Sequence, residues 1–145
     1  MIMSRLSPWP VVAVGAIVWK EDRFLLIRRG QPPRQGGWSI PGGRQEAGET
    51  VHEAVHREIR EEAGIEIDIV GIAAVVDLID RDDRDIKHHY TVIDMLAEWR
   101  SGEARAGDDA MDVAWVGLDE IGAYDLPELQ IEVIGQAHQQ RRRAA

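Results

Sequence analysis

Runs of apolar and polar residues divide the first part of the chain into three predicted strands. Val11 to Trp19 is apolar and rich in β-branched residues, which predicts a buried strand. A polar turn separates it from a second predicted strand, Arg23 to Arg29, so that we expect the two strands to form a hairpin. Gly30 to Gly37 is rich in Gly, Pro and Gln and predicts a loop. Trp38 to Pro41 predicts a short third strand.

The next segment carries signals for both ends of a helix. Thr50 and Glu53 have the spacing of a capping box, and Gly64 has the position expected of a C-terminal cap. At about 100° per residue, the apolar side chains between these ends fall on one stripe. The members of this stripe are Val51, Ala54, Val55, Ile59 and Ala63. We therefore predict an amphipathic helix that packs on a core.

The second half of the chain predicts a long hairpin, a third strand and a terminal helix. Glu66 to Ile79, with a kink at Gly71, and His88 to Trp99 are strongly apolar and flank a charged tip. A flexible loop, Ser101 to Asp109, precedes a strand at Met111 to Val116.

A helical turn at Leu118 to Ile121 then leads to an amphipathic helix over Pro127 to Arg143. The apolar positions predicted for that helix are Leu129, Ile131, Val133 and Ile134. The order β-β-β-α-β-β-β-α predicts an α/β fold with a mixed sheet between helices.

Three acids interrupt the apolar face of the first helix. Glu58 and Glu62 project within about 20° of the Val51 direction, and Glu61 lies at the edge of the stripe. Like charges on one face repel each other, and burial of an unpaired carboxylate is costly. We therefore expect a positively charged group to bind these acids. A hard divalent cation bound by oxygen ligands is the first candidate, and an arginine such as Arg28 or Arg57 is the alternative.

Composition and charge narrow the classes of function. At 145 residues the chain predicts a single domain over residues 1–145. A net charge of −9 argues against nucleic-acid binding, but not against a small phosphate substrate whose charge metal ions can neutralise. The chain has no cysteine, no apolar run long enough for a bilayer and no apolar centre of a secretory signal near its start. We therefore expect no membrane partner and a cytoplasmic location.

The segment around the three acids resembles a known motif. Gly43, five residues, Glu49, seven residues, and then the run from Arg57 to Ile65, REIREEAGI, is similar to a complete Nudix box. Every specified position of that family's pattern matches, which makes the resemblance highly specific. It implies the Nudix α/β/α sandwich and hydrolysis of a nucleoside diphosphate linked to another group X. It also implies Mg²⁺ as cofactor, with Mn²⁺ as a possible substitute.

The resemblance assigns roles within the box. Glu58 and Glu62 would be the principal metal ligands, Glu61 a ligand or a group that orients water, and the Gly43 carbonyl an additional ligand. Glu58, Glu61 and Glu62 have i, i+3 and i+4 spacing, which presents them together on one helix face. We expect Arg57 and Glu49 to form a structural pair that ties the loop to the helix.

The general base and the phosphate-binding groups lie outside the box in this interpretation. Glu103, Asp108 and Asp109 occupy the loop before the last strand, and Asp109 is the candidate base; a solvated loop acid is the alternative. Candidate substrate-binding residues are Arg28, Arg29 and Arg34. Because neighbouring strand residues face opposite ways, at most one of the first two should face the site.

Two substrate classes and one non-catalytic function remain open. The chain is similar to the bacterial ADP-ribose pyrophosphatase-like group, which implies ADP-ribose or a related nucleotide sugar as substrate. Many members of that group carry a proline shortly after the box, whereas this chain has none between Pro41 and Pro127 and contains no asparagine. A housecleaning (d)NTP pyrophosphohydrolase of the mutator type is therefore the second hypothesis. A regulatory module that binds a nucleotide without catalysis is the third.

A homodimer is the expected assembly. The first strand follows Ser7-Pro8-Trp9-Pro10, and the resembling group commonly pairs through its N-terminal region. Exposed aromatic residues such as Trp9 are enriched at protein interfaces.

Overall fold

The chain forms a seven-stranded mixed sheet with one helix on each face. The computed structural model describes residues 9–107 and 109–144. The strands are β1 (Val11–Lys20), β2 (Arg23–Arg29), β3 (Trp38–Ser39), β4 (Gly42–Arg44), β5 (Glu66–Arg81), β6 (Ile86–Ser101) and β7 (Ala110–Gly117). The helices are α1 (Val51–Ala63), a 3₁₀ helix (Leu118–Tyr124) and α2 (Glu128–Ala144). This architecture confirms the predicted α/β class.

β1 organises the sheet. It pairs in parallel with β6, from Val11 opposite Tyr90 to Trp19 opposite Glu98. It pairs antiparallel with β2, as the predicted hairpin, and with β4. The path of the sheet runs β3-β2-β1-β6-β5, with β4 joined to β1 and β7 joined to β2.

Side chains of β1 point alternately to the two faces of the sheet and so contribute to both hydrophobic cores. Val14, Ala16 and Val18 pack in the cluster that includes α1, whereas Ile17 and Trp19 pack in the cluster that includes α2. Successive strand residues point to opposite faces, so a strand buried on both faces is apolar throughout. This explains the unbroken apolar run at the start of the chain.

The signals at the ends of α1 are confirmed. The Thr50 side chain accepts from the Glu53 backbone N–H at 3.1 Å, and the Glu53 carboxylate accepts from the Thr50 backbone N–H at 2.8 Å. Gly64 ends the helix in the left-handed region, at φ 69°. The helix therefore begins and ends where the sequence predicted.

The third strand is shorter than the predicted Trp38 to Pro41, and an additional strand that was not predicted, β4, follows it. β3 ends at Ser39 and β4 begins at Gly42, because Pro41 has no N–H and the Ile40 N–H donates to the Gln130 side chain at 3.0 Å instead of to a strand. This break brings the backbone of Gly42 toward α1.

The remaining differences concern the hairpin and the terminal helix. β5 and β6 extend further than predicted, so that the tip contains only residues 82–85. The β5–β6 register shifts between Ile69 and Gly71, which agrees with the kink expected there. α2 buries Val133, Ile134 and Ala137, whereas Leu129 and Ile131 are exposed, so the predicted apolar face was wrong at those two positions.

No helix among the described residues has the length and apolar character needed to cross a membrane.

Candidate active site

The acids of α1 line a small cavity at the break between β3 and β4. Its volume is about 200 Å³. The acidic residues that line it are Glu58, Glu61, Glu62 and Asp109. Gly42 and Gly43 contribute backbone, and Arg29 is the cationic residue of the lining. The structure thus brings together the helix acids, the loop glycines and a residue of the last loop, which we call the acidic cavity.

Glu62 is the most deeply buried of these acids, with 9% of its surface exposed. Its Oε1 accepts from the Gly42 N–H at 2.8 Å. Burial raises the pKa of Glu62 to about 8, and the negative charges of Glu58 and Asp109 add to this rise. The Gly42 hydrogen bond and the charge of Arg29 act in the opposite direction. Glu62 is therefore a carboxylate that needs positive charge to stay ionised.

Arg57 donates hydrogen bonds to three of the acids in the box and forms an ion pair with a fourth, Glu46, at 3.4 Å. Its guanidinium donates to both oxygens of Glu49, at 2.8 and 2.7 Å, so the expected pairing of Arg57 with Glu49 is present. It also donates to Glu58 at 2.7 Å and to Glu61 at 3.2 Å. These bonds raise the pKa of Arg57 and lower the pKa of Glu49 to about 2. Glu58 and Glu61 therefore have the arginine partner that the sequence left as the alternative to a metal.

Glu58 is held between Arg57 and the loop backbone. Burial raises the pKa of Glu58, although the hydrogen bond from Arg57 lowers it. A Cβ atom at Gly43 would overlap the Glu58 carboxylate. A side chain at position 43 would therefore displace the Glu58 carboxylate, because the helix acid lies directly against the Gly43 backbone.

The acidic cavity has the donor chemistry of a divalent-cation site. Its candidate ligands are all oxygens, which hard cations such as Mg²⁺ prefer. Burial raises the pKa values of Glu58 and Glu62, and neighbouring acids add a smaller contribution. Within residues 9–107 and 109–144, no group of three or more His, Asp or Glu side chains is arranged to hold a metal ion. In this conformation Arg57 occupies oxygens of Glu58 and Glu61. The residues are of the types that bind a divalent cation, and such a cation would compete with Arg57 for their oxygens.

Asp109 reaches the acidic cavity from the opposite side. Its backbone is in the left-handed region, at φ 57°, and its carbonyl accepts from the Gly30 N–H at 2.7 Å. Gln31 Nε2 donates to its carboxylate at 3.3 Å. Glu103 is exposed and pairs with Arg105 at 3.5 Å, and Asp108 lies outside the described residues. Of the described loop acids that the sequence offered, Asp109 is the one in the cavity.

The three candidate arginines lie in different places in the structure, and one of them lines the acidic cavity. Arg29 lines the acidic cavity, and its Nε donates to the Pro33 carbonyl at 2.6 Å. Arg28 does not line it and donates to the Gly36 carbonyl at 2.8 Å. The β2–β7 register shifts between Arg28 and Arg29, and one of the two faces the site, as the alternation of strand residues predicted.

Arg34 lies elsewhere and supports the loop. Its two terminal nitrogens donate to the carbonyls of Trp38 and Asp125, both at 3.0 Å. It lines a second cavity rather than the acidic cavity.

This second cavity lies on the α2 face of the sheet and has a volume of about 340 Å³. It shares Arg29, Gly42 and Gly43 with the acidic cavity, so the two adjoin. Asp94 of β6 lines it with 8% of its surface exposed, and burial raises the pKa of Asp94 to about 6. Sequence reasoning missed this residue, although an acid at the centre of the apolar run Thr91 to Ala97 was a usable signal. We call this the Asp94 cavity.

Comparison with known proteins identifies the family. The model of the NUDIX domain matches residues 9–136. The chain belongs to the Nudix family. The family uses divalent metal ions and acts on pyrophosphate bonds of nucleotides, so the protein is a Nudix hydrolase.

Two curated relatives and one solved structure show the range of the family near this chain. An ADP-ribose pyrophosphatase of Methanocaldococcus jannaschii is 38% identical, over 81% of this chain and 68% of the relative. The nucleoside triphosphatase NudI of an Enterobacter species is 34% identical, over 79% of this chain and 87% of the relative. A MutT NUDIX hydrolase of Burkholderia pseudomallei has a crystal structure with a TM-score of 0.77 at 34% identity, covering 88% of this chain and 98% of that chain.

Proposed function

We propose that this Nudix hydrolase is a Mg²⁺-dependent pyrophosphohydrolase that cleaves a nucleoside diphosphate linked to a group X, with ADP-ribose or a related nucleotide sugar as the first candidate. The observation that carries the proposal is the convergence of Glu58, Glu61, Glu62 and Asp109 with Arg29 around one cavity. The relative named as an ADP-ribose pyrophosphatase supports the choice of substrate.

The cation would be held by Glu58, Glu61, Glu62 and the Gly43 carbonyl. When bound, it neutralises charge on the phosphate oxygens and lowers the pKa of water. Mn²⁺ has the same preference for oxygen ligands and is the expected substitute.

The other residues of the acidic cavity supply positioning and proton transfer. Arg29 presents positive charge beside the acids and would bind a substrate phosphate. Asp109 would accept the proton of the attacking water, because it faces the box acids across the cavity. Arg57 and Glu49 hold the loop on α1 without contacting the reacting atoms.

A (d)NTP pyrophosphohydrolase is the second candidate. The relative named as a nucleoside triphosphatase supports it. The same acids and Arg29 would act on either class, since both present a pyrophosphate bond to the acidic cavity. A nucleotide-binding regulatory module is the third candidate, and the complete set of box acids argues against it.

A panel of substrates separates these candidates. ADP-ribose, a nucleotide sugar, and the triphosphates ATP, dATP, GTP and dGTP are incubated with Mg²⁺, with Mn²⁺ and with a chelator, and the products are separated by chromatography. We expect a nucleoside monophosphate from the preferred class with either metal and none with the chelator. Glu132→Gln, a change of an exposed glutamate on α2, serves as the control variant and should retain full activity. Binding of nucleotides with no hydrolysis under any condition would instead identify a regulatory module.

A homodimer formed through the N-terminal region and a cytoplasmic location are part of the proposal. Trp9 is 69% exposed, while Ser7 and Pro8 lie outside the described residues. Light scattering at micromolar concentration should report a dimer, and a monomer would contradict this part.

A further inference from the structure

Asp94 is a buried acid that the acidic cavity does not use. It lies on the α2 face of β6, directly opposite Gly15 of β1 in the sheet register. A Cβ atom at Gly15 would overlap Asp94 Oδ1, so one oxygen of the carboxylate lies close to the backbone of β1. Among the residues that the structure describes, no group donates a hydrogen bond to Asp94 and no cation pairs with it. Such a group is costly to bury without a partner.

The Asp94 cavity has the walls of a site for a flat organic group. Its apolar side chains come from β5, β6 and α2, and they include Val76, Leu78, Val92, Leu129 and Val133. Asp94 is the single acid of the lining, which makes a second metal site a poor fit, because hard cations need several oxygen ligands. A neutral group that donates hydrogen bonds suits one carboxylate between apolar walls.

Gln130 adds a donor on the α2 side of the same cavity. Its Oε1 accepts from the Ile40 N–H at 3.0 Å, and this bond fixes the orientation of the amide. Within the described residues, its Nε2 makes no hydrogen bond. The cavity therefore offers a carboxylate acceptor together with an amide donor.

The two cavities adjoin at Arg29, Gly42 and Gly43. A nucleotide whose phosphates lie in the acidic cavity would place its nucleoside in the Asp94 cavity. This placement rests on the proposed function.

We propose that Asp94 determines specificity by accepting two adjacent hydrogen-bond donors from the nucleoside of the substrate. A carboxylate has two acceptor oxygens and no donor, so it matches paired donors. In a nucleotide, such pairs occur in the cis-diol of a ribose and in the N1–H and N2–H₂ edge of guanine. Adenine and cytosine place a ring-nitrogen acceptor beside the amino group, and that arrangement repels a carboxylate.

The test uses nucleoside monophosphates, which have no pyrophosphate bond and so report binding without turnover. Calorimetric titration with AMP, dAMP, GMP and dGMP in Mg²⁺ compares wild type with Asp94→Asn. The control is Asp68→Asn, the same change at an exposed aspartate of β5. The amide keeps the size of the side chain but replaces one acceptor oxygen with a donor.

Two patterns would support the proposal and identify the donor pair. If Asp94 binds the diol, the variant loses about tenfold or more in affinity for AMP and GMP while the deoxy forms are unaffected. If it binds guanine, the loss falls on GMP and dGMP and spares the adenine forms. Asp68→Asn should match wild type in both cases.

Equal affinities of wild type and Asp94→Asn, an equal loss for all four ligands, or no binding by wild type would overturn the proposal. Selective binding without hydrolysis of any substrate would leave the role of Asp94 standing and contradict the proposed enzymatic activity.

Discussion

Glu62 and Asp94 are two buried acids on opposite faces of one sheet, and they differ in their neighbours. Glu62 accepts from the Gly42 N–H and lies beside the negative charges of Glu58 and Asp109. Asp94 has no acidic neighbour in its cavity, and burial alone raises its pKa. A cluster of acids favours a cation, whereas a single acid between apolar walls favours neutral hydrogen-bond donors. Buried acids on the two faces therefore have different surroundings, which fit the proposed catalysis on one face and the proposed recognition on the other.

The largest expected difference between variants of the acidic cavity and a variant of Asp94 is in turnover. Glu61→Gln and Glu62→Gln should each lower kcat by about 100-fold or more, because they would remove the proposed carboxylate ligands of the cation. Asp94→Asn should instead raise KM for the matching substrate and leave kcat nearly unchanged. Steady-state kinetics with Mg²⁺ measures both parameters. An equal fall in kcat for Asp94→Asn would remove the distinction between the two acids.

The second difference is in the free energy of unfolding of the metal-free protein. The folded-state pKa of Glu62 is about 8, above its ordinary 4.5, so this group favours the fold when protonated. That contribution is fully present below pH 4.5 and is lost as the pH rises to about 8. Glu62→Gln keeps an oxygen for the Gly42 N–H and should be more stable than wild type at pH 8.5 by on the order of 2–5 kcal/mol. Denaturant unfolding at pH 4.5 and 8.5 in chelator measures it.

Glu58→Gln is the matched comparison for this experiment. It also removes a half-buried charge, but it weakens the 2.7 Å bond from Arg57 because the acceptor loses its negative charge, so the two effects offset each other. We expect a change in the free energy of unfolding of less than about 1 kcal/mol. A loss of stability in both variants would show that the protein already satisfies both carboxylates without metal.

Asp94→Asn should produce a smaller effect in a lower range of pH. The pKa of Asp94 is about 6, against an ordinary 3.8, so its protonated form favours the fold and that contribution is lost between these values. At pH 7.5 the variant should be more stable than wild type by on the order of 1–3 kcal/mol, and at pH 4 the two should be equal. Thermal unfolding at the two pH values measures this. A variant less stable than wild type at pH 7.5 would show that a group within the protein satisfies the carboxylate.

The smallest expected effect concerns the arginine between the cavities. Arg29→Ala should raise KM by about tenfold, because it removes a charged donor from the wall that both cavities share. Arg28→Ala, one residue away and outside the acidic cavity, should leave KM unchanged. Similar changes in both variants would indicate a general effect of surface charge.

The sequence predicted that the acids of α1 lie together on one face, because successive residues of a helix are related by a known rotation. With about 100° per residue, Glu58 and Glu62 had to fall among apolar side chains, and the capping signals at Thr50 and Gly64 fixed the helix ends. These features are local, so no knowledge of distant parts was required. The resemblance to the Nudix box then pointed to the fold.

The partners of those acids and the Asp94 cavity could not be predicted in the same way. Whether Glu58 meets Arg57 or a cation depends on side-chain conformation, which spacing does not determine. The Asp94 cavity combines residues of β1, β5, β6 and α2, and the pairing of the strands together with the packing of α2 on the sheet brings them together. The early end of the third strand had a local cause in Pro41, but Gln130, which accepts from the Ile40 N–H, lies 90 residues further along the chain.

The two glycines that lie against buried acids have a consequence for how this protein can evolve. Gly43 lies against Glu58 and Gly15 lies against Asp94, and even one methyl group at either position would displace the acid it faces. In a deep mutational scan we expect positions 15 and 43 to tolerate substitution as poorly as the acids that they face. Glycine has this importance although it has no side chain that could take part in the reaction. A lineage could change its substrate by replacing residues on the apolar walls, but a side chain at position 15 or 43 would displace one of the two acids.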